Sequence, residues 1–222
     1  DGDAFSDRGQ PADLLCMHYL CEQSEDMLLE GKVSEARVLL HKALQFSTSS
    51  FRTRLCLAQL EFNAGDLNLA LGHLEAIIDG GEECAPDVLI LLEKVCSEKG
   101  VTDLYRDCLQ AYLSRKPSTL LTLALSGEIQ REDGDEASIS FLRGALLNLP
   151  SITLATAVVL AQGSADSDSP ERKLLRGAVA HRQGYQCDHC GFSSATRYWH
   201  CPGCRHWGSI KYLGSNDEGF RV

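Results

Sequence analysis

Four of the ten cysteines in this 222-residue chain form two closely spaced pairs near its C-terminus. Cys187 and Cys190 are separated by two residues, Cys201 and Cys204 repeat that spacing, and ten residues lie between the pairs. A Cys-x-x-Cys pair presents two thiolates from one turn, so two such turns can place four donors at about 2.3 Å from a single ion. The pattern predicts a metal site with Cys187, Cys190, Cys201 and Cys204 as its ligands.

The residues between and beside these cysteines suit tight turns. Gly191 follows the first pair, and Pro202 and Gly203 lie inside the second. Because four thiolates complete a tetrahedral coordination sphere, no position remains for water or substrate, and we expect a structural ion rather than a catalytic one. Zinc and iron both accept this donor set, so the residue types leave the metal open.

Two other interpretations of the cysteines are disfavoured. Disulfide bonds would require an oxidising compartment, and adjacent Cys-x-x-Cys disulfides are typical of redox catalysts rather than structural cross-links. His189, His200 and His206 lie too close to the cysteines to form a separate ligand pair, so we expect them at the surface or behind the ligands. The remaining six cysteines are expected to be small buried residues in a reducing cytoplasm: Cys16, Cys21, Cys56, Cys84, Cys96 and Cys108.

Composition and charge narrow the possible functions. No run of about 18 apolar residues is present, and the acidic start is unlike a signal peptide. Residues 1–170 carry 13 Lys and Arg against 27 Asp and Glu, whereas residues 171–222 carry 8 against 4. An acidic body disfavours binding to nucleic acid or to an anionic membrane surface.

The sequence also contains no phosphate-binding glycine loop and no hydrolase motif, so we predict no enzyme activity and no catalytic or cofactor-binding residues beyond the metal ligands.

The body of the chain carries an internal repeat. Apolar or small residues recur every 34 positions, as at Leu40, Leu74, Cys108 and Leu142. This period is typical of tetratricopeptide helix–turn–helix repeats, which stack into a right-handed superhelix with a concave protein-binding surface. The first helix of each unit sets that surface, and its predicted members are Arg52, Arg54, Gln59, Glu61, Asp87 and Glu93.

We therefore predict a mostly α protein with a small C-terminal β domain that contains the metal site. The predicted organisation is helical repeats over residues 1–162, a linker and connecting helix over 163–184, the metal ribbon over 185–214 and a disordered tail over 215–222. A ribbon of this size needs a metal to fold, because a domain below about 40 residues cannot bury enough apolar surface.

The segments YQCDHCGF and YWHCPGCRHWGSIK, which follow a basic helix and the 34-residue repeats, resemble the C-terminal part of the lipopolysaccharide assembly protein B (LapB) family. The resemblance implies a rubredoxin-like ribbon that holds iron or zinc on the same four cysteines. It also implies a bacterial regulator at the cytoplasmic face of the inner membrane, tethered by an N-terminal helix that this sequence lacks. Arg205 departs from the rubredoxin pattern, which has glycine there. This difference puts in doubt the N–H to sulfur bonds of a redox site, and so favours a structural ion.

The function implied by this resemblance is that of an adaptor. Proteins of the family promote degradation of the deacetylase LpxC, which acts at the committed step of lipid A synthesis, by the membrane protease FtsH. The implied partners are LpxC, FtsH and other lipopolysaccharide-synthesis proteins. Two alternatives are a rubredoxin-like electron-transfer protein and a nucleic-acid-binding zinc ribbon, and Arg197, Arg205 and Lys211 beside stacking aromatic residues would suit the second.

Overall fold

The computed structural model describes residues 9–80, 85–100, 103–162, 169–170, 173–175, 177 and 184–213. These residues contain nine bounded helices followed by three short strands. The helices are α1 (Ala12–Leu29), α2 (Val33–Phe46), α3 (Phe51–Asn63), α4 (Leu67–Asp79), α5 (Pro86–Glu98), α6 (Leu104–Arg115), α7 (Thr119–Asp133), α8 (Asp135–Asn148) and α9 (Ile152–Ala161). Most of the predicted linker and connecting helix, and all of the predicted tail, lie outside the described residues.

Several helix ends follow directly from local sequence. Ser50 and Ser151 begin α3 and α9 by accepting hydrogen bonds from backbone N–H groups three residues further on. Gly31 and Gly65 adopt positive φ angles of 76° and 83° and separate α1 from α2 and α3 from α4. Glycine tolerates this left-handed conformation without steric cost, so the chain reverses within two or three residues and the paired helices can pack side by side.

The 34-residue period is present in the structure. Helices α3, α5, α7 and α9 begin at Phe51, Pro86, Thr119 and Ile152, so the interval between successive starts stays between 33 and 35 residues. Consecutive helices pack in pairs, α1 with α2, α3 with α4 and α7 with α8. The predicted fold class, a mostly α chain of tetratricopeptide-type helix pairs with a small C-terminal β ribbon, is confirmed. Among the described residues, no helix is both long enough and apolar enough to span a membrane.

The chain forms two compact units. One contains α1 to α4, α5 from Asp87 onward and the ribbon residues Tyr185–Lys211, and the other contains α6 to α9. The first unit has a core around Cys21, Leu40 and Leu57, which are fully buried. In the second unit Leu142, Leu154 and Val158 form a separate core cluster. The ribbon thus shares a compact unit with the first helices, from which it is far removed in sequence.

The ribbon is built on a three-stranded sheet. Its strands are β1 (Tyr185–Cys187), β2 (Ser193–Ser194) and β3 (Ile210–Tyr212), in the order β2-β1-β3. Strands β1 and β2 are antiparallel and form a hairpin. The first and last residues of β1 and of β3 are buried and the middle ones are not, as expected for strands with one covered face. This hairpin carries the first cysteine pair.

Candidate metal centre

Each cysteine pair lies in a turn with the same backbone pattern. The N–H of Gly191 donates to the carbonyl of Cys187 at 2.8 Å, and the N–H of Arg205 donates to the carbonyl of Cys201 at the same distance. Gly191 and Arg205 occupy equivalent positions after the two pairs, and both have positive φ, 77° and 60°. The two turns therefore present their thiols in the same way, although one ends in glycine and the other in arginine.

The four sulfur atoms form one compact cluster. Cys187 Sγ lies 3.7 Å from Cys204 Sγ, and Cys190 Sγ lies 3.6 Å from Cys201 Sγ, so each short contact joins the two turns. All four sulfur atoms lie within 4.8 Å of one another. A tetrahedron of thiolates around an ion at about 2.3 Å has edges of about 3.8 Å. The cluster therefore has the size and donor set of a four-cysteine metal site.

The thiols of the cluster have different surroundings and therefore different pKa values. Burial raises the pKa of Cys204 to about 12. Burial also raises the pKa of Cys187, but its hydrogen bond with Ser209 and the N–H groups of Cys190 and His189 outweigh burial and lower that pKa to about 6. Because a metal binds only the thiolate, an ion must displace the proton of Cys204, and binding should become tighter as the pH rises.

Backbone N–H groups act on the pKa of a thiol in both turns. The N–H of Phe192 lowers the pKa of Cys190, but burial and the thiols of Cys187 and Cys201 raise it, and the net shift is upward. At Cys204 burial raises the pKa, and the N–H of His206 acts against it. Arg205 therefore does not give the second turn a different backbone path, because its φ is positive, as that of Gly191 is.

Substitution of Arg205 by glycine is expected to stabilise the ribbon. A side chain in the left-handed region costs about 1 kcal/mol or slightly more, while the extra freedom of glycine in the unfolded chain offsets part of that gain. We expect the free energy of unfolding to rise by up to about 1 kcal/mol. It is measured by chemical denaturation, with metal release as the signal, and the denaturation midpoint should rise accordingly. Gly191→Ala, at the equivalent position of the first turn, should shift the midpoint the other way. A lower midpoint for Arg205→Gly would contradict the strain assigned here.

Gly203 is required by the space between the two turns. A Cβ atom at this position would lie 3.3 Å from Cys190 Sγ and 3.4 Å from the Cβ of Phe192. Gly203→Ala should therefore displace Cys190 by a few tenths of an ångström and lower the metal affinity about tenfold, as disturbance of an outer shell commonly does. Competition with a chromogenic chelator measures this loss. Gly144→Ala in α8, where a Cβ meets open space, is the control and should leave the affinity unchanged.

The ribbon contacts α3 through a buried arginine. Arg52 is only 2% exposed, and its guanidinium carbon lies 5.4 Å from the ring centroid of Trp199 and 5.6 Å from that of Trp207. A guanidinium held against aromatic rings at this distance gains cation–π attraction that burial strengthens. The same group donates to Glu25 at 2.9 Å. Arg52 therefore links the first helices to both tryptophans of the ribbon.

Trp207 is held by α1 and by the residue two positions before that helix begins. Its ring stacks on His18 with centroids 4.9 Å apart. The side chain of Gln10 accepts from the backbone N–H of Trp207 at 2.8 Å and donates to its carbonyl at 3.0 Å. These two bonds reproduce the pairing of a neighbouring strand, and they position the segment just after the second cysteine pair.

Arg197 forms the third contact. Its Nε donates to Asp87 of α5 at 2.9 Å, and its guanidinium lies 4.7 Å from the ring centroid of Phe51 and 4.8 Å from that of Tyr185. The Arg197 side chain is 13% exposed, so the ion pair is partly removed from solvent. Charge and aromatic packing together therefore attach the ribbon to α3 and α5.

The neutral state of His18 makes this attachment sensitive to acid. Burial first, and then the charge of Arg52, lower the pKa of His18 from 6.5 to about 3. The unfolded chain binds this proton more readily, so the stability of the unit is complete above pH 6.5 and falls as the pH drops toward 3. We expect the denaturation midpoint to fall between pH 6.5 and about 5, where the thiolate site still holds its ion. His18→Gln should flatten this slope, and an unchanged slope would contradict the assignment.

Several residues lie where sequence reasoning did not place them. Arg52 and Glu61 are each 2% exposed, so their expected role on a client-binding surface is wrong. Arg52 is covered by the ribbon, and Glu61 accepts two hydrogen bonds from Arg37. Cys16, expected to be buried, is exposed. Cys21, Cys96 and Cys108 are buried as predicted, Cys56 is half-buried, and Cys84 lies outside the described residues.

The histidines lie around the thiols as expected. His189 and His200 are exposed, and His206 is half-buried. His189 and His206 stack with centroids 3.7 Å apart, and each has a ring nitrogen within 4.8 Å of Cys204 Sγ. The ring of His200 covers the outer face of Trp207 at 4.5 Å.

The structure combines helix pairs that repeat every 33 to 35 residues with a ribbon that carries a four-cysteine metal site. Residues 185–211 match the sequence model of the family Zn_ribbon_LapB, described as a rubredoxin metal binding domain. Lipopolysaccharide assembly protein B of Escherichia coli (strain K12) is 25% identical over 207 residues, which cover 90% of this chain and 53% of that protein. The protein of the same name from Haemophilus influenzae is 29% identical and covers 89% of this chain and 51% of its own.

The chain is thus similar to lipopolysaccharide assembly protein B over about nine tenths of its length, which confirms the resemblance seen in the sequence. It spans about half the length of these curated relatives. Two other similarities are more limited. Endonuclease 8 of Escherichia coli is 34% identical over 94 residues, or 39% of this chain and 34% of that protein. The solved structure of Pseudomonas aeruginosa pilF covers 77% of this chain and 76% of its own, with 17% identity and a TM-score of 0.43.

Proposed function

We propose that this protein is a non-enzymatic adaptor in lipopolysaccharide assembly. The helix pairs would bind protein clients, and the ribbon would serve as a structural metal module that stabilises the first of those pairs. The observation that carries the proposal is the similarity to lipopolysaccharide assembly protein B, which extends through the repeats and the ribbon over 90% of the chain. The aromatic and charged contacts between the ribbon and α1, α3 and α5 support the structural role.

The helix pairs offer apolar groups for a protein client. Leu69 on α4 and Ile90 on α5 are 51% and 54% exposed, and Leu147 on α8 is 86% exposed. Apolar side chains that a folded repeat leaves in solvent are suited to contact a partner segment, and tetratricopeptide-type repeats commonly bind other proteins in this way. The acidic composition of the repeats disfavours nucleic acid as the partner.

By the family resemblance, the client is the deacetylase LpxC, and the protease that receives it is FtsH. On this proposal the protein would act at the cytoplasmic side of the bacterial inner membrane, with lipid A synthesis as the regulated step. In that role the protein would shorten the lifetime of LpxC without catalysing a reaction itself.

The ion is proposed to be structural, with iron or zinc as the metal. Four cysteines complete its coordination and leave no open position for a reacting group. Elemental analysis and absorption spectra of protein purified without added metal decide between the two metals. A colourless protein with one zinc per chain supports the structural role. Iron that is reduced reversibly by one electron would instead support the electron-transfer alternative.

The adaptor role can be tested in cells. In a bacterium deleted for the gene that encodes this chain, LpxC should persist after protein synthesis is stopped, and the intact gene should restore its rapid loss. The double variant Cys187→Ser/Cys190→Ser should fail to restore it, whereas Cys16→Ser, which changes an exposed cysteine outside the ribbon, should succeed. An LpxC half-life that is the same with and without the gene would refute the proposal.

A further inference from the structure

A cavity of about 190 Å³ lies between the ribbon and helices α1 and α3. We call it the ribbon cavity and define it by six of its lining residues: His18, Arg52, Arg197, Trp199, Trp207 and Lys211. Three of these residues are cationic side chains, and no carboxylate of a described residue lines the cavity. All of its lining belongs to one compact unit of the chain. The cavity is therefore positively charged.

Three buried nitrogen atoms of the lining residues have no hydrogen-bond partner within the described part of the chain. They are Arg52 Nε, His18 Nε2 and Trp207 Nε1. The three residues are 2%, 2% and 4% exposed, so bulk water does not readily supply the missing partners. A buried donor without an acceptor costs about 1 to 3 kcal/mol, and all three belong to residues that line one cavity, which favours an added acceptor there.

The protonation of His18 follows from its neighbour. Arg52 Nη1 lies 3.3 Å from His18 Nδ1, and since a guanidinium can only donate, Nδ1 must be the acceptor. The proton of the neutral ring is therefore on Nε2. Burial and the charge of Arg52 lower the pKa of His18 to about 3, which keeps the ring neutral at physiological pH. All three unpartnered nitrogens are consequently N–H donors.

The nearby carboxylates already form ion pairs with both arginines of the cavity lining. Glu25 accepts from Arg52 Nη2 at 2.9 Å and is itself about half exposed. Asp87 accepts from Arg197 Nε at 2.9 Å. These pairs leave Arg52 Nε unused, and no ion pair of Lys211 is present among the described residues. Both arginines are thus already paired with carboxylates, Arg52 also lying 3.9 Å from Glu22, so the charge of Lys211 and the unpartnered N–H groups are what the cavity offers an anion.

We propose that the ribbon cavity binds one small oxyanion, the phosphate or carboxylate group of a ligand. Its volume exceeds the share of about 30 Å³ that a single water occupies, and it is below the roughly 300 to 1,000 Å³ of sites for larger molecules. Arginine and indole N–H donors in an aromatic setting suit an anion better than a neutral group, because charge-assisted bonds are about twice as strong. The bound oxyanion would join α1 and α3 to the ribbon.

Calorimetric titration of the metal-loaded 222-residue chain with inorganic phosphate and, separately, with acetate tests the proposal. Ionic strength is held constant with chloride, which also serves as the reference anion. Both tryptophans of the chain line the cavity, so their fluorescence is a second and local readout. We expect saturable binding of one anion per chain with a change in tryptophan emission. The anion that binds more tightly identifies the chemical group.

Two variants connect this binding to the cavity. Trp207→Phe keeps an aromatic ring but removes one unpartnered donor and should weaken binding about tenfold, while Lys211→Gln at the exposed rim should weaken it about threefold. Arg54→Gln is the control, because Arg54 lies on the same helix, is bonded to the carbonyl of Thr48 and does not line the cavity. If Trp207→Phe fails to fold, Lys211→Gln decides. No saturable binding of either anion, or equal weakening by Arg54→Gln, would overturn the proposal and leave water as the occupant.

Discussion

Replacing Cys187 and Cys190 together by serine should abolish metal binding and unfold the ribbon. A structural zinc contributes roughly 10 to 16 kcal/mol of apparent binding free energy at neutral pH, far more than the apolar core of a ribbon of this size can supply. The shortest sulfur contacts join the two turns, Cys187 with Cys204 and Cys190 with Cys201. The two thiolates that remain in the variant belong to one turn and cannot complete the tetrahedron. The loss of the ion therefore removes the constraint that holds the two turns together.

Metal content and tryptophan emission measure this outcome. We expect less than one tenth of the wild-type metal per chain and a red shift of emission, because Trp199 and Trp207 lose their cover when the ribbon unfolds. Cys16→Ser, at an exposed position outside the ribbon, should retain full metal and an unchanged spectrum. A double variant with wild-type emission would show that the ribbon folds without its ion and would contradict the role assigned to it.

Replacing Arg52 by alanine should release the ribbon from the helices without removing its metal. The substitution removes packing against two tryptophans and the hydrogen bonds to His18 and Glu25. Bonds to a charged group contribute about 1.5 to 3 kcal/mol and cation–π contacts about 0.5 to 2. Since Glu25 is about half exposed and can be hydrated after the change, we expect a loss near 3 kcal/mol in total.

Chemical denaturation and metal analysis of the same sample separate the two consequences. The denaturation midpoint of Arg52→Ala should fall while the metal content stays at one ion per chain. Arg54→Ala provides the matched control, because this arginine is two residues away on the same helix and bonds an exposed carbonyl. It should change stability by less than about 0.5 kcal/mol. If the two variants lose equal stability, the buried guanidinium has no special role in docking.

Local sequence patterns were sufficient to predict the metal centre and the helical repeats. Two Cys-x-x-Cys pairs leave few other arrangements, because the donor type and the spacing both match one tetrahedral ion. The 34-residue period similarly specifies which residues share a buried row, and Leu40, Leu74 and Leu142 are all buried. Each of these signals lies within a short segment or repeats at a constant interval.

The attachment of the ribbon to the first helices could not be predicted in this way. Gln10 and Trp207 are 197 positions apart and Asp87 and Arg197 are 110 positions apart, so no local pattern joins them. Arg52 was assigned to a client surface because register alone does not indicate that a second domain covers a charged side chain. The available signal was indirect. Two tryptophans on so small a ribbon are more than a single hairpin can bury, and this surplus, which the sequence analysis did not use, points to cover from elsewhere.

The left-handed conformation of Arg205 was also outside the reach of residue statistics. Glycine is the usual occupant of such a position, and an arginine there suggested that the second turn would differ from the first. Instead, the Arg205 N–H donates to the Cys201 carbonyl as the Gly191 N–H donates to the Cys187 carbonyl, and the second turn follows the same backbone path as the first. Tertiary closure around the sulfur cluster thus overrides the preference of the residue.

Hydrogen exchange before and after removal of the metal tests the central claim most directly, namely that the ion stabilises α1 and α3 through the ribbon. On stripping the ion, amides of the ribbon and of α3 around Arg52 should exchange faster together, while those of α8, in the other compact unit, serve as the reference and should not change. Faster exchange in the ribbon alone, with α1 and α3 as protected as before, would contradict the account.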